Sequence, residues 1–198
     1  MPKVSEEHAT ARQEQILEAA TLCFAHSGFH ATGMAEIIRE SGLSAGSVYR
    51  YYKSKDDLIA AIVGRLVGGL QEQVIEFTRN ATSPGEAVAL CIQTASRLLQ
   101  QGDMPYSRIL PQAWTEALRN PDIAALVNAK YRPILQHFED MARQMQQRGD
   151  LDGDLDPAGV AQVMLAAVQG FIVQKLILNH QVDDRVYAAT AARLFTRS

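Results

Sequence analysis

Apolar residues recur with a helical period along most of the 198-residue chain. The first set is Ile16, Ala20, Cys23 and Phe24, which share one face of a helix. Glycine, proline and short polar stretches separate the later sets, as expected at helix ends. The pattern predicts an all-α protein of about nine helices. The predicted helices cover about 10–27, 33–41, 45–52, 55–79, 84–101, 106–119, 121–148, 157–178 and a last helix from about 184.

The stretch 32–58 predicts two short helices joined by a tight turn. Thr32 is expected to cap the first helix through its hydroxyl, and Ser44 the second. Gly42 ends the first helix because glycine readily adopts the left-handed conformation there. Two short helices joined by a turn of about three or four residues that contains glycine are the helix-turn-helix signature. In that motif the second helix lies in the major groove of DNA.

The second helix combines a small leading edge with hydroxyl and cationic side chains. Small residues allow close approach to a phosphate or a base edge, and phenol and ammonium groups suit phosphate oxygens. An ordinary helical hairpin with solvated charges would have the same periodicity, so it stays open as an alternative. The predicted DNA-binding residues are Thr32, Gly33, Ser44, Ala45, Gly46, Ser47, Tyr49, Arg50, Tyr51 and Lys55.

The charge of the chain is a fair objection to DNA binding, since its formal net charge is −3. The first 60 residues hold six Lys or Arg against eight Asp or Glu. The local balance differs, because Arg39 to Lys55 contains four basic residues and one acidic residue. A small basic footprint can suffice, because the field and the release of counterions depend on charges near the phosphates. We therefore expect a modest salt dependence per monomer and no non-specific coating of nucleic acid.

A longer pattern in this region resembles a known family. It is similar to the N-terminal DNA-binding domain of TetR-type transcriptional regulators. The residues that carry the resemblance are Gly28-Phe29, Thr32, Ile37, the run from Gly42 to Lys55, and Leu58. Two positions depart from that pattern. Ile38 stands where the family usually has Ala, and Tyr52 where it usually has Phe.

Three later runs resemble the C-terminal domain of BetI-type members of the same family. They are LPQAWTEALRNPDIA, GDLDGDLDPAGVAQ and VQGFIVQKL. The resemblance implies a helix-turn-helix domain over 1–54, with the fourth helix as connector, and a ligand-binding and dimerisation domain over 55–198. It further implies a regulator, expected to be a repressor, that binds a palindromic operator in double-stranded DNA and is released by a small-molecule effector.

The eighth helix has a second apolar surface that one monomer cannot easily hide, and such a surface usually marks an interface. The resemblance implies a two-fold homodimer formed by the last two helices. A monomer core is the alternative interpretation of the same residues. The expected interface residues are Val163, Ala167, Phe171, Gln174, Leu178, Tyr187 and Leu194.

A sensor pocket is expected among the fourth to eighth helices, where methionine and aromatic side chains suit adaptable apolar ligands. Each of these residues taken alone could also be simple core. The candidates are Phe77, Cys91, Met104, Tyr106, Trp114, Tyr131, His137, Phe138, Met141, Met145, Phe171 and Gln174.

Other functional classes find little support in the sequence. The five histidines form no metal-ligand cluster, no glycine-rich phosphate loop follows a strand, and no Ser or Cys nucleophile has an evident base. We therefore expect neither catalysis nor a metal or other cofactor. A helical adaptor that uses the hairpin to contact proteins remains an alternative.

Features of localisation point to the cytoplasm. Cys23 and Cys91 lie far apart in apolar patterns and are expected to be buried free thiols in a reducing compartment. The N-terminal stretch lacks the apolar region of a signal peptide. No run of about 18 uncharged apolar residues is expected, and hence no membrane span.

Overall fold

The computed structural model describes residues 2–100, 106–178 and 181–195, and within these ranges it contains helices and no strand. The helices are α1 (Pro2–Ala31), α2 (Met34–Ser41), α3 (Ala45–Tyr51), α4 (Lys55–Thr78), α5 (Pro84–Gln100), α6 (Tyr106–Ala117), α7 (Pro121–Arg148), α8 (Pro157–Leu178) and α9 (Asp184–Leu194). The all-α prediction is confirmed. The predicted bounds of the helices after the first agree with the observed ones to within about two residues.

Helix α1 differs from its prediction at both ends. It begins at Pro2, well before the predicted start at about residue 10. The apolar period marks only the part of a helix that is buried, and the polar residues before Ile16 are mostly good helix formers that continue it without such a stripe. Gly28 interrupts the helix as predicted, with φ 85° and ψ 162°, but one further turn follows it to Ala31.

The chain divides into two compact units. The first comprises the described residues of Met1–Val67 and Pro105–Val127, so it contains α1, α2, α3, the first half of α4, α6 and the start of α7. Helix α1 packs against both α2 and α6. The rings of Phe24 and Phe29 meet edge to face with centroids 5.1 Å apart. Ile16, Ile37, Val48 and Leu58 are fully buried in this unit.

The second unit comprises the described residues of Gly68–Met104 and Asn128–Ser198. Helix α5 packs against α8 and α9. Its core includes Val88 and Ile92 from α5, Phe138 from α7, and Met164 and Phe171 from α8, all at most 1% exposed. These apolar stripes are the ones that the helical period predicts.

Side-chain and backbone caps fix the ends of the short helices. Gly42 ends α2 in the left-handed conformation, with φ 66°, and the Ser44 hydroxyl accepts the Ser47 N–H at 3.2 Å at the start of α3. Ser54 and Asp57 cap α4 reciprocally, since each side chain accepts the other residue's backbone N–H at 3.1 Å. The roles of Gly42 and Ser44 are those predicted from the sequence.

The predicted cap of α2 is wrong. Gly33 occupies the cap position and Thr32 makes no cap bond. The Thr32 hydroxyl instead donates to the Cys23 carbonyl of α1 at 3.2 Å, and its side chain is buried. Because α1 packs closely on α2, this hydroxyl lies in the interior. It links the start of α2 to α1 and does not cap α2.

Two helices pass a test of length and apolar composition for crossing a membrane. They are α4 and α8, whose most apolar 18-residue windows are 28% and 22% buried. Core helices of soluble proteins pass the same test, so the expectation that the chain has no membrane span stays a prediction. The proposed domain boundary between 54 and 55 remains a prediction, and it does not coincide with the division into compact units.

Candidate nucleic-acid interface

The start of α3 presents a row of small and polar residues to solvent. Ala45, Gly46 and Arg50 are exposed and Tyr49 is 41% exposed, whereas Val48 is fully buried on the opposite face. A Cβ atom added to Gly46 would meet nothing within 4 Å. The packing of this chain therefore does not require glycine at that position, which leaves open space on the outer face of α3.

Two of the predicted DNA-binding hydroxyls also serve the local fold. The oxygen atoms of Ser44 and Ser47 lie 3.0 Å apart within hydrogen-bonding geometry, in addition to the cap bond between the two residues. The pair is solvent-facing, because Ser44 is exposed and Ser47 half-buried. Their primary structural effect is to fix the direction in which α3 begins.

The polar groups of Thr32 and Lys55 bond backbone carbonyls of α1 and of the residue that follows it. The Lys55 ammonium donates to the carbonyl oxygens of His30 at 3.4 Å and Thr32 at 3.2 Å. This contact explains why a lysine stands in the first turn of α4, where a positive charge is unfavourable with the helix dipole. An ammonium has three hydrogens, so one donor of Lys55 remains beyond these two bonds.

The other predicted positions surround α3. Gly33 is exposed at the start of α2, and a Cβ there would also meet open space. Tyr51 is half-buried at the end of α3. Lys53, which follows α3, donates from its ammonium to the Tyr49 carbonyl at 2.7 Å and is exposed. Lys53 therefore adds an exposed positive charge next to α3, and Arg39 on α2 is exposed as well.

The predicted effector residues divide between core and surface. Cys91, Phe138, Met141, Met145 and Phe171 are at most 6% exposed and belong to the core of the second unit. Burial raises the pKa of the Cys91 thiol to about 12, so this side chain is neutral and unreactive in the folded chain. Both cysteines are free and buried, as predicted.

The remaining effector candidates have different surroundings. Tyr131 packs against the same core, Trp114 is half-buried on α6 in the first unit, and Phe77 and Gln174 are exposed. Met104 and the side chain of Tyr106 lie outside the described residues. The structure thus brings together the candidates from α5, α7 and α8, and they are closely packed with one another.

His137 has a defined polar partner. Its Nε2 atom lies 2.8 Å from the Thr78 hydroxyl, which also approaches the Val74 carbonyl at 2.7 Å. A hydroxyl has one hydrogen, and here it is donated to the carbonyl, so His137 donates from Nε2–H to the Thr78 oxygen. Desolvation by burial lowers the pKa of His137, and the nearby Asp140 carboxylate acts in the opposite direction.

Two family models together match most of the chain. Residues 16–62 match the bacterial regulatory proteins of the tetR family, and residues 79–197 match the C-terminal domain of BetI-type transcriptional repressors. The chain belongs to the tetR family of bacterial regulatory proteins. It is a transcriptional regulator, and the resemblance stated from the sequence motifs is confirmed.

Relatives of this tetR-family chain match over most of their length. YfiR, an uncharacterised HTH-type transcriptional regulator of Bacillus subtilis, is 27% identical over 205 residues, covering 100% of this chain and 96% of YfiR. A regulator from Saccharomonospora viridis, solved in complex with choline, has a TM-score of 0.78 at 22% identity, covering 96% of this chain and 99% of its own. The Bacillus subtilis regulator FadR, solved with stearoyl-CoA, has a TM-score of 0.75 at 20% identity, covering 92% and 97%. The two structures share the fold.

A surface groove in the tetR-family chain runs between α8 and α9. All the predicted dimer-interface residues except Phe171 line it. Phe171 is fully buried in the core of its own chain, against the ring of Tyr187 at 5.1 Å, so its ring is not available to a partner. Among the residues that line the groove, Val163, Val186 and Leu194 are 56%, 62% and 79% exposed.

Some residues that line the groove were not among the predicted interface residues. Val182, Val186 and Thr190 also line the groove. Val186, Thr190 and Leu194 follow one another at four-residue intervals, so extending the helical period from Leu194 would have found the first two.

A largely buried ion pair holds the wall of this groove. Lys175 on α8 pairs with Asp184 at the start of α9 at 2.5 Å, and their side chains are 17% and 18% exposed. The Lys175 ammonium also donates to the Val182 carbonyl at 3.1 Å, and the Ser96 hydroxyl of α5 bonds the second Asp184 oxygen. These bonds fix α9 relative to α8 and α5.

Proposed function

We propose that this tetR-family regulator is a repressor that binds a palindromic DNA operator as a homodimer and is released by a small-molecule effector. The observation that carries the proposal is the exposed start of α3, where Ala45, Gly46 and Arg50 face solvent while Val48 anchors the helix from behind. The major groove of B-DNA, about 12 Å wide, admits a helix presented in this way.

The side chains around α3 have complementary proposed roles. Arg50 reads a base edge, because a guanidinium can donate two hydrogen bonds to guanine in the major groove. Tyr49 and Lys53 contact phosphates, which position the protein without reading sequence. Gly33 leaves space for a phosphate at the start of α2. Thr32 and Lys55 act mainly by holding the helices in place, because their polar groups bond backbone carbonyls of Cys23, His30 and Thr32.

The groove between α8 and α9 supports the proposed homodimer. Its apolar wall, which includes the exposed Val186 and Leu194, would be hidden by the same surface of a second copy. A two-fold interface of this kind presents two α3 helices related by the same symmetry. The operator would then contain two half-sites one helical turn, about 34–36 Å, or a multiple of it apart.

The proposed effector is an apolar or amphipathic small molecule. The methionine and aromatic side chains of α7 and α8 can adjust to such ligands. Choline and stearoyl-CoA in the two related structures are small-molecule ligands of proteins with this fold. Since the candidate residues are closely packed, binding would require them to move apart. The ligand would then favour a conformation with a different separation of the two α3 helices.

The proposal assigns no catalytic role and places the protein in the cytoplasm, where its DNA is. Its named relatives are transcriptional regulators, and the free buried thiols are compatible with a reducing compartment.

Selection of DNA from a pool of random duplexes tests the proposal. We expect enrichment of one inverted-repeat sequence, which we call the selected duplex. The protein should shift this duplex in a gel, and an excess of unrelated DNA should not abolish the shift. Absence of any enriched sequence at low salt would reject DNA recognition and favour the protein adaptor. Mass spectrometry of copurified small molecules, followed by thermal-shift assays, would then identify effectors that weaken the complex.

A further inference from the structure

The break in α1 is built around a conformation that only glycine adopts readily. Gly28 has φ 85° and ψ 162°, a region of backbone space that is essentially restricted to glycine. The helical hydrogen-bond ladder is interrupted there, and the chain turns through Phe29 and His30 toward the start of α2. The geometry of this break therefore sets where the helix-turn-helix begins.

A side chain from α6 occupies the break. The Gln112 oxygen accepts the Phe29 N–H at 2.8 Å, and its amide nitrogen donates to the Phe24 carbonyl at 3.2 Å. The same nitrogen donates to the Arg108 carbonyl of its own helix at 2.9 Å, which fixes the direction of the side chain. Both ends of the amide are thus satisfied, and its oxygen lies 3.6 Å from where a Cβ of Gly28 would be.

A second contact joins the same two segments. The Arg119 guanidinium, just after α6, contacts both ring nitrogens of His30, Nε2 more closely than Nδ1, and bonds Glu116, which is 7% exposed. The carbonyl of His30 in turn accepts from Lys55 at the start of α4. The last turn of α1 is consequently held on one side by α6 and on the other by α4.

We infer that Gln112 is the positioning residue through which α6 sets the orientation of the helix-turn-helix. The inference deepens the proposed function, on which it rests. Helix α6 also carries Tyr106 and Trp114, two of the expected effector residues. A displacement of α6 by an effector moves the Gln112 amide, and with it the Phe29 N–H and the chain leading into α2.

Reciprocity gives the inference a consequence that can be measured without the effector. If the position of α6 changes DNA affinity, DNA binding must bias the position of α6 by the same coupling free energy. A residue that merely contributes to stability would lower the melting temperature without transmitting DNA binding to α6.

Hydrogen exchange of the full chain, with and without the selected duplex, tests the inference. In the wild type we expect the duplex to slow exchange in α6 and at Phe29 by at least about fivefold, the lower end of typical allosteric coupling. Gln112→Met keeps the length of the side chain but removes its hydrogen bonds. In this variant we expect the slowing in α6 to be lost and the affinity for the duplex to fall about fivefold or more.

Thr115→Val is the matched control, because its hydroxyl bonds only the Pro111 carbonyl within α6 among the bonds described. It should keep wild-type coupling. Unchanged α6 exchange in a wild-type protein that binds the duplex would overturn the inference and leave the proposed function standing. So would a Gln112→Met variant that retains the coupling. If that variant does not fold, the wild-type measurement decides. Failure of the wild type to bind any selected DNA would overturn the proposed function together with the inference.

Discussion

Arg50 and Arg79 provide a matched pair of exposed guanidinium groups on the same chain. Arg50 lies on the outer face of α3, whereas Arg79 follows α4 and pairs with Glu76 at 2.6 Å. We expect Arg50→Ala to weaken binding to the selected duplex by about 1–3 kcal/mol and to relax the preference at one base pair. Arg79→Ala should leave both unchanged. Quantitative gel shifts with single-base variants of the duplex measure the effect, and equal losses in the two variants would argue against base reading by Arg50.

A second residue-scale prediction concerns His137, whose pKa is lowered mainly by desolvation. The unfolded chain then binds more protons than the folded chain once the pH falls to about 6.5, the usual histidine value. Stability should therefore decrease as the pH is lowered through this range. His137→Asn should reduce that decrease.

The melting temperatures of the wild type and of the variant are measured from about pH 8 to about pH 5, a range that includes the titration of histidine. His8→Asn is the control, since His8 is exposed on α1. A wild type and His137→Asn variant with parallel pH profiles would show that this histidine does not contribute.

Single residues also mark where sequence reasoning was insufficient. Thr32 and Lys55 have the chemistry of a cap and a phosphate ligand, but both bond backbone carbonyls of α1. Sequence gives the donor capacity of a side chain, while the nearest acceptor depends on how α1 packs against its neighbours. Ser44, by contrast, caps α3 as predicted because its acceptor and donor are only three residues apart.

At the scale of helices, glycine positions in different conformations allow a controlled comparison. Gly28 has a positive φ, and its hypothetical Cβ would have only an ordinary van der Waals contact, so a substitution introduces backbone strain without a clash. Gly69 lies in α4, is exposed, and would place a Cβ in open space. We expect Gly28→Ala to lower the free energy of unfolding by about 1–3 kcal/mol.

Gly69→Ala should raise the free energy of unfolding by about 0.5–1 kcal/mol, because alanine is the better helix former. Denaturant titration measures both variants. If both substitutions changed the free energy of unfolding in the same direction, the break in α1 would not be the strained element that its dihedral angles indicate.

The helices themselves follow well from the sequence, and their long-range connections do not. Periodicity, Gly42 and Asp-Pro at the start of α8 define most helix ends, because these signals act within one or two turns. The contact of Gln112 with Phe29 joins residues 83 positions apart. Nothing in the local pattern around Gln112 distinguishes it from a solvent-facing glutamine, so only the packing of α6 on α1 reveals it.

At the scale of the molecule, the apolar groove between α8 and α9 leads to a prediction about assembly. Leu194 is 79% exposed beside the groove, and Leu118, 88% exposed after α6, offers a similarly exposed leucine elsewhere on the chain. We expect Leu194→Lys to yield monomers, since a dimer interface would have to desolvate the ammonium group. Leu118→Lys should remain dimeric. Sedimentation equilibrium distinguishes the two outcomes, and an unchanged dimer in Leu194→Lys would place the interface elsewhere.

We propose that each chain supplies one half of a two-part DNA reader. Hydroxyl-radical footprinting of the wild-type protein on the selected duplex tests it most directly. We predict two protected segments on one face of the DNA, with centres about 10–10.5 base pairs or a multiple of that apart. They should be related by the inverted repeat. A single protected segment, or continuous protection along the duplex, would contradict the account.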